Sequence, residues 1–169
     1  MFILFTGGSA CGKSSYAEQT CQTIGGTLYY LATMQPYGPE GEMRITRHRA
    51  LREGKGFITI EKYTDIHEIQ LPERGTLLLE CICNLTANEM FDENFNLQDP
   101  VDKIIEGIKV LASQCDNLIV VTNDVGSDIQ DYSDETRAYI RALGTVNAKL
   151  AAEADSVIEM VCGIPVVLK

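Results

Sequence analysis

Near its N-terminus the chain carries Gly7-Gly8-Ser9-Ala10-Cys11-Gly12-Lys13-Ser14, a glycine, four residues, then Gly-Lys-Ser. This spacing makes a phosphate-binding loop only where a strand leads in and a helix leads out. Both are in place. Phe2-Ile3-Leu4-Phe5 is a continuous apolar run suited to a buried parallel strand, and Ser14-Ser15-Tyr16-Ala17-Glu18-Gln19 can open a helix. Gly7 and Gly12 permit backbone angles that a side chain forbids, so successive N–H groups can turn inward around phosphate oxygens. Lys13 is then expected to reach the outer phosphates, and the Ser14 hydroxyl to take one position on Mg²⁺. The competing reading is a glycine-rich strand-to-helix turn that binds nothing, and the order strand, loop, helix argues against it.

At 169 residues the chain suits one domain, residues 1–169, with a sizeable core. Its formal charge of −10 argues against a general nucleic-acid binder, because phosphate backbones call for a basic surface. No apolar stretch approaches a membrane span, and the segment from Met1 leads straight into the loop rather than to a cleavage site, so the expected location is cytoplasmic. Six cysteines, Cys11, Cys21, Cys81, Cys83, Cys115 and Cys162, match no zinc spacing and are read as reduced thiols, Cys81 and Cys83 on one face of a strand.

Further strands are expected at residues 27–32, 57–61, 76–81 and 118–122, with a terminal pair at 157–161 and 165–168. Between them, helices are expected after the loop, over residues 40–53, after Asp99-Pro100 on the stripe Val101, Ile104, Ile105, Ile108, Leu111 and Ala112, and after Ser133 on Tyr139, Leu143, Val146 and Leu150. Residues 127–132 form a polar loop suited to capping a substrate site. This alternation predicts an α/β fold, phosphate-loop NTPase-like, with a mostly parallel sheet and helices on both faces. Right-handed crossovers would gather Lys13, Thr33, Glu61, Glu80 and Asn123 along one sheet edge. Thr33 would sit near the phosphate loop if its strand neighbours the first.

Within the acidic chain one segment is basic: Arg44, Arg47, Arg49, Arg52 and Lys55. On a helix Arg44, His48 and Arg52 share one face, which could hold a polyphosphate, although a charge run is more often a solvated face. Arginines around His48 would keep its imidazole neutral and nucleophilic. Glu80, a carboxylate ending a buried apolar run, suits Mg²⁺ or a substrate proton.

Taken together, Thr6-Gly7-Gly8 through Gly12-Lys13-Ser14, Tyr30-Leu31-Ala32-Thr33, Arg44-Ile45-Thr46-Arg47-His48 with Arg52, Leu79-Glu80-Cys81, Asn88, Thr122-Asn123-Asp124-Val125-Gly126, Gly144-Thr145-Val146-Asn147 and Gly163-Ile164-Pro165 resemble the adenosylcobinamide kinase / adenosylcobinamide-phosphate guanylyltransferase family of cobalamin biosynthesis. The resemblance implies two reactions: phosphorylation of adenosylcobinamide by ATP or GTP, then transfer of GMP from GTP to that phosphate through a GMP-histidine intermediate. It implies that His48, Lys13 and Glu80 are catalytic and that Ser14 and Glu80 meet Mg²⁺. It places the nucleotide on Gly7, Gly8, Ser9, Ala10, Cys11, Gly12, Lys13 and Ser14, on Ala32, Thr33 and Met34, on Arg49, Ala50, Leu51 and Arg52, and on Glu61 and Glu80. It also implies a corrinoid substrate and a homotrimer. The chain departs from the family at Ala10 and Cys11, where arginine and serine are usual, at Phe57 and Asp124, and around Asp131 and Tyr132. The alternatives from other classes are a single-function phosphate-loop kinase of small molecules and a non-catalytic nucleotide-dependent switch.

Overall fold

The computed structural model describes residues 1–36, 38–91, 96–126 and 131–169, with only the backbone for Glu40, Arg44, His48 and Leu51. Tyr37 of the expected turn, residues 127–130 of the expected capping loop and the side chains of His48 and Leu51 therefore lie outside the described residues.

The strands are β1 (Phe2–Thr6), β2 (Leu28–Ala32), β3 (Phe57–Glu61), β4 (Thr76–Glu80), β5 (Asn117–Val121), β6 (Ser156–Val161) and β7 (Ile164–Val167). They form one seven-stranded sheet in the order β3-β2-β4-β5-β1-β6-β7. All pairings are parallel except β6 with β7, a hairpin turned at Cys162-Gly163. The central parallel strands read as apolar runs because both of their faces are covered: Leu77, Leu78 and Leu79 are each 0% exposed, whereas Ile58 on the edge strand β3 is exposed. Each leucine so buried stabilises the fold by about 1.5–3 kcal/mol over leaving it in water.

The two faces are covered unequally. Helix α1 (Lys13–Ile24) covers one with Ala17 and Cys21, against Phe5, Tyr30, Leu78, Ile119 and Val121. On the other face α3 (Ile82–Glu89), α4 (Val101–Gln114) and α5 (Asp134–Glu153) pack Ile82, Leu85, Ile104, Ile108, Leu111, Leu143, Val146 and Leu150 onto Leu4, Leu31, Leu79 and Val120. The stripe expected on α4 is buried except for Ala112, which is exposed, and that on α5 is buried except for Tyr139, which is only partly covered. Both starts are capped from the side: Asp99 Oδ1 accepts the Val101 N–H at 3.0 Å, and Ser133 Oγ accepts the Thr136 N–H at 3.3 Å. Helix α2 (Gly38–Arg52) follows β2 and carries the basic segment. Among the described residues no helix is long and apolar enough to cross a membrane.

Three expectations change. Strands β1 and β2 are not neighbours; β5 and β4 stand between them, so Thr33 does not adjoin the phosphate loop. The strand ending at Glu80 gives way at once to α3, so Cys81 and Cys83 do not share a strand face: Cys81 precedes the helix and Cys83 lies in its first turn. Finally, α3 has no counterpart among the helices expected from the sequence, because Cys81-Ile82-Cys83 extends the apolar run and no side chain caps the helix start.

Candidate active site

The loop after β1 is shaped by close backbone contact. Gly7 has φ +128°, and a side-chain Cβ there would lie 2.6 Å from the Met160 carbonyl oxygen on β6. Only glycine fits so near a neighbouring strand. The far side of the loop is tied to the β6–β7 turn, where Gly163 N–H donates to the Cys11 carbonyl at 3.1 Å. Lys13, 7% exposed, folds over the loop and donates from Nζ to the carbonyls of Gly7 (2.8 Å) and Gly8 (2.5 Å), with Cys11 Sγ at 3.5 Å. Its charge therefore sits at the loop's mouth.

Across β5, the carboxylate of Glu80 ends β4 and accepts two hydroxyls: Ser14 Oγ donates to Oε1, and Tyr30 Oη to Oε2. This contact joins the loop to the neighbouring strand ends. Burial first, and then the Glu80 charge, push the Tyr30 phenol far above its usual value, so it remains a donor. Above the Tyr30 ring lies the guanidinium of Arg52, its Cζ 3.7 Å from the ring centroid. Arg52 is 8% exposed and its Nε has no hydrogen-bond partner among the described residues. A buried guanidinium with a free N–H, lining the same cavity as the Lys13 ammonium, suits an anionic ligand.

These groups line one cavity of about 420 Å³ at the carboxyl edge of the sheet. Of the residues named from the sequence, Ser9, Ala10, Lys13, Ser14, Ala32, Met34, Arg52, Glu61, Glu80 and Asn123 line it. Thr33 does not. It is 0% exposed and acts as a brace: its hydroxyl accepts the Cys81 N–H at 2.9 Å, and its own N–H donates to the Glu80 carbonyl at 3.2 Å. Arg49 and Ala50 are exposed on α2 and are not among the lining residues. Arg49 is paired with Glu61, whose other oxygen accepts from Tyr63 Oη at 3.3 Å. Lys55 is likewise engaged, with Glu18 of α1. Two charges of the basic segment are thus spent on intramolecular pairs rather than on one free face.

Other lining residues escaped sequence reasoning: Ile45, Tyr63, Cys83, Asn84 and Thr122. Tyr30 also lines the cavity, although the sequence offers it only as a strand residue and part of the family motif, not as a site residue. The available signal was that a phenol in a strand buried on both faces needs a partner. Asn88, on the unforeseen helix α3, donates to the carbonyls of Thr33 (2.8 Å) and Tyr63 (2.9 Å), fixing the segments after β2 and β3. Asn147 of α5 does the same behind β5, accepting from Thr122 Oγ1 at 2.6 Å and donating to the Asn123 carbonyl at 3.1 Å.

A family model described as cobinamide kinase / cobinamide phosphate guanyltransferase matches residues 3–168. Two curated relatives, each described as a bifunctional adenosylcobalamin biosynthesis protein CobU, align over 183 positions and are covered in full, as is this chain. The one from Escherichia coli K12 is 32% identical, and the one from Salmonella typhimurium LT2 is 31% identical. Among solved structures, the flagellar accessory protein FlaH from Methanocaldococcus jannaschii superposes with a TM-score of 0.54 at 14% identity, over 99% of this chain and 77% of that one. A prototypical ATPase from the type III secretion system of pathogenic bacteria superposes with a TM-score of 0.53 at 12% identity, over 94% of this chain and 51% of that one. At such identities the likeness speaks for a phosphate-loop NTPase-like fold alone.

Proposed function

Because the chain belongs to the cobinamide kinase / cobinamide phosphate guanyltransferase family, we propose that it phosphorylates adenosylcobinamide with ATP or GTP and then transfers GMP from GTP to that phosphate, releasing pyrophosphate. The observation that carries this reading is the convergence of Lys13, Ser14, Glu80 and Arg52 on a single cavity beside the glycine loop.

In the first step the aminopropanol hydroxyl attacks the γ-phosphorus, the bond from that phosphorus to the bridging oxygen breaks, and the nucleoside diphosphate leaves. Glu80, a carboxylate at the strand end, takes the hydroxyl proton, while Lys13 and the loop amides bind the phosphate oxygens. In the second step a ring nitrogen of His48 attacks the α-phosphorus and pyrophosphate leaves. A phosphate oxygen of the corrinoid then attacks the same phosphorus, the P–N bond breaks, and His48 is regenerated. His48 lies on α2 four residues before Arg52, and its role here rests on the family resemblance. Arg52 offers its unpartnered Nε–H to the phosphates.

Ser14 Oγ and the Glu80 carboxylate are adjacent hard oxygen donors, which suits Mg²⁺ completed by water and phosphate oxygens. When bound, Mg²⁺ neutralises charge on the phosphates. Glu61 lines the cavity and retains acceptor capacity beyond Arg49 and Tyr63, enough for the amino-side donors of guanine. The family pattern also points to a homotrimer, which sedimentation equilibrium would test.

The deciding experiment incubates the protein with Mg²⁺ and GTP labelled at the α-phosphate. An acid-labile label should remain on the protein and disappear on chase with adenosylcobinamide phosphate. A His48→Ala variant with undiminished guanylyl transfer would overturn the histidine route.

A further inference from the structure

A buried carboxylate that the proposed chemistry does not use fastens the end of α2 to α1. Glu18 lies one turn beyond Ser14 on α1, on the same face, and pairs with Lys55. Their side chains are 8% and 33% exposed. Lys55 stands three residues after Arg52, the last residue of α2, and its N–H donates to the Arg52 carbonyl at 3.1 Å. Gly54, at φ +76°, lets the chain turn between them. The residue that Glu18 holds is therefore bonded through its backbone to the residue whose guanidinium covers Tyr30.

Apolar packing does not place α2: among the described residues it contributes none to either apolar cluster of the core. Its placement rests on polar contacts, Arg49 with Glu61, Arg52 over Tyr30, and Lys55 with Glu18 just past its end. The first joins side chains that are 57% and 37% exposed, where water screens the attraction. Glu18 differs. Its carboxylate is out of water and is left uncompensated if Lys55 moves away, so separating the two is unfavourable. Besides burial and Glu80, the Tyr30 phenol feels Glu18, which raises it, and Arg52, which lowers it, so both charges act on one ring.

We propose that Glu18 and Lys55 are positioning residues for guanylyl transfer: their ion pair sets the end of α2, and through it the Arg52 guanidinium, against the cavity. This rests on the function proposed above. The γ-phosphoryl step draws on Lys13, Ser14 and Glu80, none of which lies on α2. The guanylyl step draws on His48 and Arg52, which both do. Loosening α2 should thus separate the two activities.

The test uses Glu18→Gln in the full chain, which removes the buried charge and leaves Lys55 to reach solvent. Amide exchange over residues 49–56 should quicken about tenfold while that of α1 is unchanged. GTP affinity by calorimetry and α-labelling by GTP should each fall about tenfold, whereas γ-phosphoryl transfer from ATP should stay within about twofold. Because Glu18 acts through Arg52, the double variant Glu18→Gln, Arg52→Lys should bind GTP no more weakly than Arg52→Lys alone. Unchanged exchange and affinity in Glu18→Gln would overturn the proposal. So would a role in stability alone, seen as a lower urea midpoint with both activities reduced in proportion and with losses that add to those of Arg52→Lys. A parent chain that takes no α-label would instead overturn the transferase reading, and amide exchange with GTP affinity would still decide whether the pair sets α2 and Arg52.

Discussion

The Arg52 guanidinium rests 3.7 Å above the centre of the Tyr30 ring, and the hydroxyl of that same ring donates to Glu80. One tyrosine on β2 thereby positions a cation from α2 and a carboxylate from β4 around a common cavity. Replacing Arg52 by lysine keeps the charge but loses the planar stack and the Nε–H, so GTP affinity measured by calorimetry should fall about tenfold, near 1.4 kcal/mol. Tyr30→Leu should weaken binding in the same direction, by the roughly 0.5–2 kcal/mol that a cation over an aromatic face contributes. An Arg52→Lys variant with unchanged affinity would separate this stack from nucleotide binding.

Lys13 is the ammonium at the mouth of the loop. A Lys13→Met variant keeps most of the stem and removes the charge, so γ-phosphoryl transfer and α-labelling by GTP should each fall by about 10²–10³. Circular dichroism would check the fold, because the Gly7 and Gly8 carbonyls lose their donor in this variant. Loss of only one of the two activities would place the two phosphate sites apart.

Gly7→Ala tests the loop's geometry rather than its charge. The added methyl would meet the Met160 carbonyl at 2.6 Å and force an L side chain to φ +128°. Backbone strain of this kind costs about 1–3 kcal/mol, which should appear as a lower urea midpoint together with weaker nucleotide binding.

Away from the cavity, Asp65 is held by Lys103 at 2.7 Å, and the hydrogen bond from that ammonium lowers the carboxyl below its ordinary 3.8. A carboxylate depressed in the folded state adds stability that is fully present above 3.8 and is lost as pH falls through the folded-state value. The pair is partly solvated, so Asp65→Asn should cost at most about 1 kcal/mol at pH 7. In urea titrations the difference between the variant and the parent should shrink toward zero as the pH drops below 3.8. A difference that persisted at low pH would assign the effect to packing.

Strands β2, β4 and β5 were legible because both of their faces are buried, and the runs at 27–32, 76–81 and 118–122 lie within one residue of them at either end; the run at 57–61 coincides with β3, although that strand is at the sheet edge with Ile58 exposed. Helix α3 was not legible. Only eight residues long and uncapped by any side chain, it follows β4 so directly that its apolar residues extend the strand's own run. Thr33 was misplaced for a different reason, since a strand-end threonine looks the same whether it faces a ligand or, as here, the backbone at Cys81.

The amino-acid sequence by itself determined the glycine loop with Lys13 and Ser14, the buried strands and the amphipathic faces of α4 and α5, because each of these depends on residues close together along the chain. Only the tertiary structure decided that β5 and β4 separate β1 from β2, that Glu80 answers Ser14 across β5, and that Tyr30 carries Arg52. Parallel strands are joined through crossovers that leave no local periodicity to read, so their order emerges only when helices and strands from distant parts of the chain pack into one core.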